Sequence, residues 1–363
     1  MNKLGFGFLR FPMEQDQIDF QKLEQLVDAF LAGGGQYFDT AHAYLNGKSE
    51  EAVKRVLSSR YPRHAYRLAS KLPGYQVKTH SDCRRFFDES LARCGVAYFD
   101  VFMLHWLNRT NYTLAEKYRE FDFLQELKAS GEAKAIGFSY HDSAELLDEI
   151  LCAHPEVDYV LLQINYLDWE SPAIQSRLCY ETAVRHNKKV IVMEPVKGGT
   201  LASVPEEAQT VLNRIDPNLS AAQHALRFAQ SLPAVEIVLS GMNRMEQVRE
   251  NLQPFSPLST EEAAWMQQAA AIIAGATKVP CTGCGYCQSH CPKNIPIADI
   301  FRLYNAYARH PGDDWKITPI YDSLCMQSGS ASDCIGCHSC EKNCPQKLPI
   351  PEYLKDVVQA FGR

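Results

Sequence analysis

No run of this chain approaches the roughly 20 apolar residues that a membrane span requires. The nearest, Ala269 to Ala276, is far too short, so no membrane association is expected. A dense stripe of lysine and arginine is also missing. With 37 basic against 43 acidic residues the formal charge is −6, which argues against a nucleic-acid surface. The opening MNKLGFGFLRFP lacks the long apolar stretch of a secretory leader. No low-complexity tract interrupts the chain, and no Gly-x-Gly-x-x-Gly follows the first strand candidate, which weakens a doubly wound dinucleotide fold. What remains is a globular composition, 46% hydrophobic and 22% charged over 363 residues, enough for a sizeable core.

Cysteine, by contrast, is abundant and ordered. Two runs share one form: Cys281-x2-Cys284-x2-Cys287-x3-Cys291-Pro292 and Cys334-x2-Cys337-x2-Cys340-x3-Cys344-Pro345. At this spacing three thiolates wrap one corner of a cubane iron–sulfur cluster, while the fourth, ahead of proline, reaches the other cluster. Two [4Fe-4S] clusters are therefore expected. One takes Cys281, Cys284, Cys287 and Cys344; the other takes Cys334, Cys337, Cys340 and Cys291. Zinc sites more often show paired C-x2-C knuckles, and disulfides need an oxidising compartment. The other five cysteines, Cys83, Cys94, Cys152, Cys179 and Cys325, read as reduced, largely buried thiols. The cytoplasm is the expected location.

The first 255 residues alternate short β-rich runs with helical patterns eight times. The strand candidates are Leu4–Leu9, Gln36–Thr40, Tyr66–Lys71, Phe99–Trp106, Ala133–Ser139, Tyr159–Tyr166, Lys189–Pro195 and Glu236–Gly241. Runs such as YVLLQI and KVIVM are apolar on consecutive residues, as parallel strands buried on both faces require. Eight β-α units in a row predict an α/β fold, a (β/α)8 TIM barrel over 1–255. A Pro/Ser-rich junction follows, with Ser259 and Glu262 in a capping-box pattern that starts a linker helix within 256–279. A small helix-rich two-cluster, ferredoxin-like domain would occupy 280–363, with a helix over Ile297–His310 between the two runs.

Four polar residues fall at or just after strand ends: Asp39 and, five residues on, Tyr44 in FDTAHAY, Lys71 in LASK, and His105 in FDVFMLHW. In a barrel such positions converge on the catalytic mouth. Singly each has a plain structural explanation, as helix cap, solvated cation or core histidine. Together on three adjacent strands they are hard to attribute to chance. His42, His290 and His338 are equally well read as loop or solvent-facing residues.

Here the chain resembles the aldo-keto reductases. LGFGFLRFP, FDTAHAYLNGKSEEAV, ASK, LHW, IGFS, LLQINY, MEPVKGG and VREN carry the resemblance across nearly all of 1–255. The cysteine runs match the branch with a ferredoxin-like tail. The resemblance implies a catalytic tetrad of Asp39, Tyr44, Lys71 and His105, with Tyr44 as general acid/base, Lys71 and Asp39 tuning it, and His105 orienting a carbonyl. A phenol has an unperturbed pKa of about 10, and a nearby ammonium would ease its proton exchange. It further implies NADP(H) or NAD(H), with a lean to NADP. Ser139 and Gln163 would bond the carboxamide. Glu194, Pro195, Gly198, Gly199 and Leu201 would run along the pyrophosphate, beside Lys197. Arg244 and Asn251 would lie near the adenine. Two departures stand out: Tyr140 where Asn is common, and Met193 near the usual stacking aromatic ring.

The expected activity is reduction of a small carbonyl compound, or the reverse. Nicotinamide moves two electrons and each cluster moves one, so coupling them would require a splitter such as a flavin. No flavin motif is present, although a barrel phosphate site could accept FMN. The clusters would pass electrons to or from a carrier such as a ferredoxin, or serve structurally. In the alternative from another class, the chain is an iron–sulfur electron-transfer or docking protein on a barrel that no longer catalyses. Phe8, Trp106 and Tyr166 suggest an aromatic pocket lining or, equally, rim packing.

Overall fold

The computed structural model describes residues 3–15, 17–309 and 314–362. Eight parallel strands close into a barrel: β1 (Leu4–Gly7), β2 (Tyr37–Asp39), β3 (Arg67–Leu72), β4 (Val101–Leu107), β5 (Ile136–Tyr140), β6 (Tyr159–Gln163), β7 (Lys189–Met193) and β8 (Val235–Ser240). β1 pairs with both β2 and β8, which completes the ring. All eight expected strands are present, with ends moved by a few residues. Alternate residues, among them Tyr37, Ala69, Val101, Met103, Leu161 and Ile191, fill the barrel interior. The residues between them support the outer helices. Phe102, for example, packs edge-on against Phe87 of helix His80–Cys94. With both faces covered, the strands must be apolar on consecutive residues.

Two local departures matter. Between β4 and β5 the helical apolar period of the sequence runs on from Leu114 to Ser130, yet two helices form, Arg109–Tyr118 and Glu120–Ser130, broken at Arg119 in the left-handed region (φ 56°). Neither Gly nor Pro marks the break, so the apolar period read straight through it. In β4 the pairing with β5 slips between Leu104 and Leu107. That bulge contains His105 and Trp106, and Trp106 has φ 64°, rare for a bulky residue.

The chain divides into two compact units, Met1–Pro195 with Ala225–Leu258, and Val196–His224 with Ser259–Arg363. The first holds the whole barrel. In the second, helix Glu206–Ile215 packs on helix Thr260–Ala276, so the stretch 196–224, expected within the barrel domain, groups with the C-terminal part. Ser259 and Glu262 cap the latter helix reciprocally, at 2.7 and 3.2 Å. The cluster-bearing part has its own core, in which Phe301, Tyr321, Leu354 and Val357 are almost fully buried, and Tyr321 stacks on Phe361 at 4.4 Å. The helix expected over 297–310 is present as Ile297–Arg309; His310 lies outside the described residues. Among these, no helix is long and apolar enough to cross a membrane.

Candidate active site and cluster cavities

The four strand-end residues meet within the first unit. Lys71, fully buried on β3, donates to Asp39 Oδ1 on β2 at 2.5 Å and to the Thr40 carbonyl at 2.8 Å. Its Nζ lies 5.0 Å from the centre of the Tyr44 ring. Tyr44 stands edge-on to His105, ring centres 5.5 Å apart. It sits on a short turn where Leu45 and Asn46 are left-handed. Asp39 Oδ2 and His105 Nδ1 are buried without a hydrogen-bond partner. Such orphaned atoms are uncommon in a finished core and suit a site that takes a ligand.

Burial sets the protonation of this group. It pushes Asp39 up and Lys71 down, and each charge opposes the other's shift. It drops His105 well below the usual imidazole range, helped by Lys71, His141 and His42, so the ring is neutral at neutral pH. Burial, followed by the Asp39 and Glu194 carboxylates, holds the Tyr44 phenol well above its usual range. The ammonium's hydrogen bonds go to Asp39 and Thr40, and it stands over the face of the Tyr44 ring.

Other expected residues are placed as follows. Ser139 Oγ accepts the Trp106 N–H at 2.7 Å and so braces the β4 bulge; its own hydroxyl proton remains to donate. Gln163 Nε2 donates to Asp168 at 2.8 Å, and Asn165 bonds both Asp168 and the Glu194 carbonyl. Met193 packs against the barrel interior, and the Tyr140 hydroxyl donates to the Ser143 carbonyl. Asn251 is buried and donates to Ser240 Oγ at 3.2 Å, whereas Arg244 is exposed at the start of helix Met245–Asn251. Pro195 is buried in the first unit. Gly198, Gly199 and Leu201 belong to the second, and there the Gly199 and Leu201 N–H groups both donate to the Val196 carbonyl.

Several contributors were missed. Tyr75, on the turn after β3, lies against both His105 and Trp106, at 6.2 and 5.8 Å between ring centres. Glu50 is fully buried, accepts from Ser70 at 2.7 Å and adds negative charge near Lys71. In sequence it is an ordinary first-turn acid. Phe8 and Tyr166 are fully buried, and Phe8 packs against Phe6, Phe11 and Phe38. His42 is satisfied by Glu89 at 2.9 Å.

The eight cysteines of the two runs gather in the second unit around two small apolar cavities. Cys281, Cys284, Cys287 and Cys344 line one. Cys291, Cys334, Cys337 and Cys340 line the other. The crossed grouping is thus present in the geometry. Burial and the neighbouring thiols push Cys287 up to about 12, and burial pushes Cys340 to about 11. Burial thus makes Cys287, Cys340 and Cys344 resist ionising on their own, whereas hydrogen bonds from Ser339 hold the exposed Cys337 thiol below its usual range; a cationic iron core removes the burial penalty. The donor set therefore fits iron–sulfur clusters. No cysteine is in a disulfide. Of the five outside the runs, Cys83, Cys94 and Cys179 are buried as expected, but Cys152 is exposed and Cys325 partly so. Cys152 lies in the last turn of helix Ala144–Ala153, off the face that buries Leu147 and Leu151.

A closed parallel barrel with a tyrosine, a histidine and a buried Lys–Asp pair at its strand ends defines an oxidoreductase-type α/β barrel. The chain belongs to the aldo/keto reductase family, whose model matches residues 3–271. A 4Fe-4S dicluster domain matches residues 280–348. The chain is 24% identical over 284 residues to the "Uncharacterized oxidoreductase YqkF" of Bacillus subtilis, covering 70% of this chain and 87% of that one. It is 26% identical over 253 residues to an aldo-keto reductase of Mycolicibacterium paratuberculosis, covering 69% and 80%. Among solved structures, the holo form of aldo-keto reductase AKR11C1 from Bacillus halodurans superposes with TM-score 0.61 and 22% identity, covering 74% of this chain and 91% of that one. The Klebsiella pneumoniae aldo/keto reductase in complex with NADP and acetate gives 0.60 and 20%, covering 73% and 90%. At these identities the likeness is one of fold.

Proposed function

We propose that the barrel reduces a small carbonyl compound with NADP(H), or runs the reverse reaction, and that the cysteine cavities hold two [4Fe-4S] clusters with crossed ligation. The reductase reading rests on one observation: Tyr44 and His105 side by side over a buried Lys71–Asp39 pair. When bound, the nicotinamide supplies or accepts the hydride. Tyr44 holds the proton that a carbonyl oxygen takes up, and its raised pKa keeps that proton in place until negative charge develops on the oxygen. Neutral His105 offers a hydrogen bond that orients the carbonyl, leaving its charge to be met by the phenol. Lys71, pinned by Asp39, contributes a fixed positive potential beneath both groups. Ser139 and Gln163, a hydroxyl and an amide at adjacent strand ends, suit a carboxamide. By family resemblance, the segment from Glu194 to Leu201 follows the pyrophosphate, and Arg244 and Asn251 lie toward the adenine, with Arg244 favouring a 2′-phosphate. Tyr44→Phe should lower kcat/KM for NADPH-dependent aldehyde reduction by about 10²–10⁴-fold while leaving the iron content unchanged. An undiminished rate would sink this assignment.

The clusters, when loaded, supply one-electron carriers. The openness of the second run, with Cys337 exposed and Ile335 61% exposed, favours exchange with an external carrier such as a ferredoxin over a purely structural role. A flavin splitter is part of this reading only if NADPH itself reduces the clusters. Anaerobic titration with NADPH, then NADH, tests this through the visible and EPR signals. Bleaching supports coupling through a splitter. An unchanged spectrum with bound NADPH means that the clusters are fed by another donor or are structural. Thirteen cysteines without a disulfide suit a reducing cytoplasm.

A further inference from the structure

Within the second unit, the loop Lys197–Ala202 and the first cysteine run touch backbone to backbone. A Cβ added at Gly198 would lie 1.8 Å from the Thr282 carbonyl oxygen and 2.6 Å from its carbon, so only glycine allows this approach. Thr282 is buried and lines the first cavity between Cys281 and Cys284. The loop is also conformationally demanding. Lys197, Gly198 and Gly199 are all left-handed, at φ 46°, 63° and 101°, and Lys197 is itself buried. At a buried lysine such a conformation carries strain that the surroundings hold in place. The second run offers no counterpart, since Ile335, at the position equivalent to Thr282, is exposed.

We propose that the first cluster site is a clamp on this loop. Thiolates fixed around a cluster on either side of Thr282 hold that peptide in place. Its carbonyl in turn holds Gly198 and the left-handed turn that continues to Leu201. Emptying the first site releases the loop; emptying the second does not. The proposal rests on the cluster reading of the cysteines. Its consequence for nucleotide affinity rests further on the resemblance that runs this loop along the pyrophosphate. Iron supply would then govern cofactor binding without any electron passing between them.

The Gly199 and Leu201 amides, both bonded to the Val196 carbonyl, are natural reporters. Amide hydrogen exchange should be followed on the full-length, anaerobically loaded chain and on its Cys284→Ser and Cys337→Ser variants, with NADPH binding measured in parallel. Exchange at Gly199 and Leu201 should quicken about tenfold in Cys284→Ser, with a comparable weakening of NADPH affinity, and should stay within about twofold in Cys337→Ser. Equal exchange in both variants, or none above the parent, overturns the clamp. If exchange responds but the parent chain does not bind NADPH, the clamp stands and the nucleotide reading fails. Should Cys284→Ser not fold, Gly198→Ala tests the same contact from the loop side. A chelator should then strip the first cluster about tenfold faster and the second at the parental rate. Unchanged stripping of the first cluster overturns the proposal.

Discussion

The two cysteine runs are near copies in backbone and opposites in surroundings. Gly283 and Gly336 share φ 66°; Gly285 and His338 are both left-handed, at 80° and 57°; Asn294 and Lys347 match at 51° and 52°. Each run thus repeats the same turns between its cysteines and just after the last of them, and those turns, rather than the neighbourhood, set where the sulfurs point. The neighbourhood then separates the copies. Thr282 is buried against Gly198, whereas Ile335 and Cys337 face solvent. A duplicated binding motif can therefore be held to one geometry by its own backbone while each copy takes a different task from what lies next to it.

The strongest way to break this comparison is Cys344→Ser. With crossed ligation it removes the cluster of the first run although it lies in the second. Iron should fall from about eight to about four atoms per chain, and the surviving EPR signal should be the one that Cys337→Ser abolishes. Survival of the other cluster would refute the crossing. Next comes a control that separates barrel from clusters. Glu120 in the barrel unit is buried, and burial raises it to about 7. Its folded pKa lies above the unfolded value near 4.5, so its stabilisation is complete below pH 4.5 and is lost as pH climbs to 7. Urea denaturation should show roughly 2–3 kcal/mol of lost stability over that window, and Glu120→Gln should flatten it. A flat parental profile would contradict the buried carboxyl. A smaller effect is expected at the open run. Ile335→Asp should slow electron exchange with a ferredoxin-type acceptor about tenfold while leaving NADPH-dependent carbonyl reduction intact. Equal rates would remove the second run as the exchange face. The smallest concerns the copied turns. A Cβ at Gly285 would meet only the end of the Gln288 side chain, at 3.4 Å, an ordinary contact, so Gly285→Ala costs mainly backbone strain, about 1 kcal/mol. The urea midpoint for cluster bleaching should drop accordingly.

The barrel was legible because buried parallel strands leave uninterrupted apolar runs, and the tetrad because strand ends place chemistry. The crossed grouping of cysteines around the two cavities was legible because a proline follows each fourth cysteine and turns it away from its own run. Other features leave no such mark. The break at Arg119 carries no turn residue. Glu50 looks like any acid in a first helical turn. Tyr75 reaches His105 only through a turn whose path depends on tertiary packing. The meeting of Gly198 with Thr282 joins segments distant in sequence, and a glycine pair after a strand gives no hint of which backbone will approach it.

The second unit draws its residues from two places, 196–224 and the C-terminal part, and this sets limits on how the protein can be cut or borrowed. Helix Glu206–Ile215 buries Ala208, Val211 and Leu212, and its companion Thr260–Ala276 buries Met266, Ala269 and Ile273. A chain trimmed at residue 258 would strand the first of these helices with an oily side in water. Grafting the cysteine tail onto a foreign barrel would leave the second helix in the same position. Removing the iron–sulfur portion by truncation therefore cannot serve as a clean subtraction. The divisible piece is not the tail but the tail together with an island from the middle of the chain.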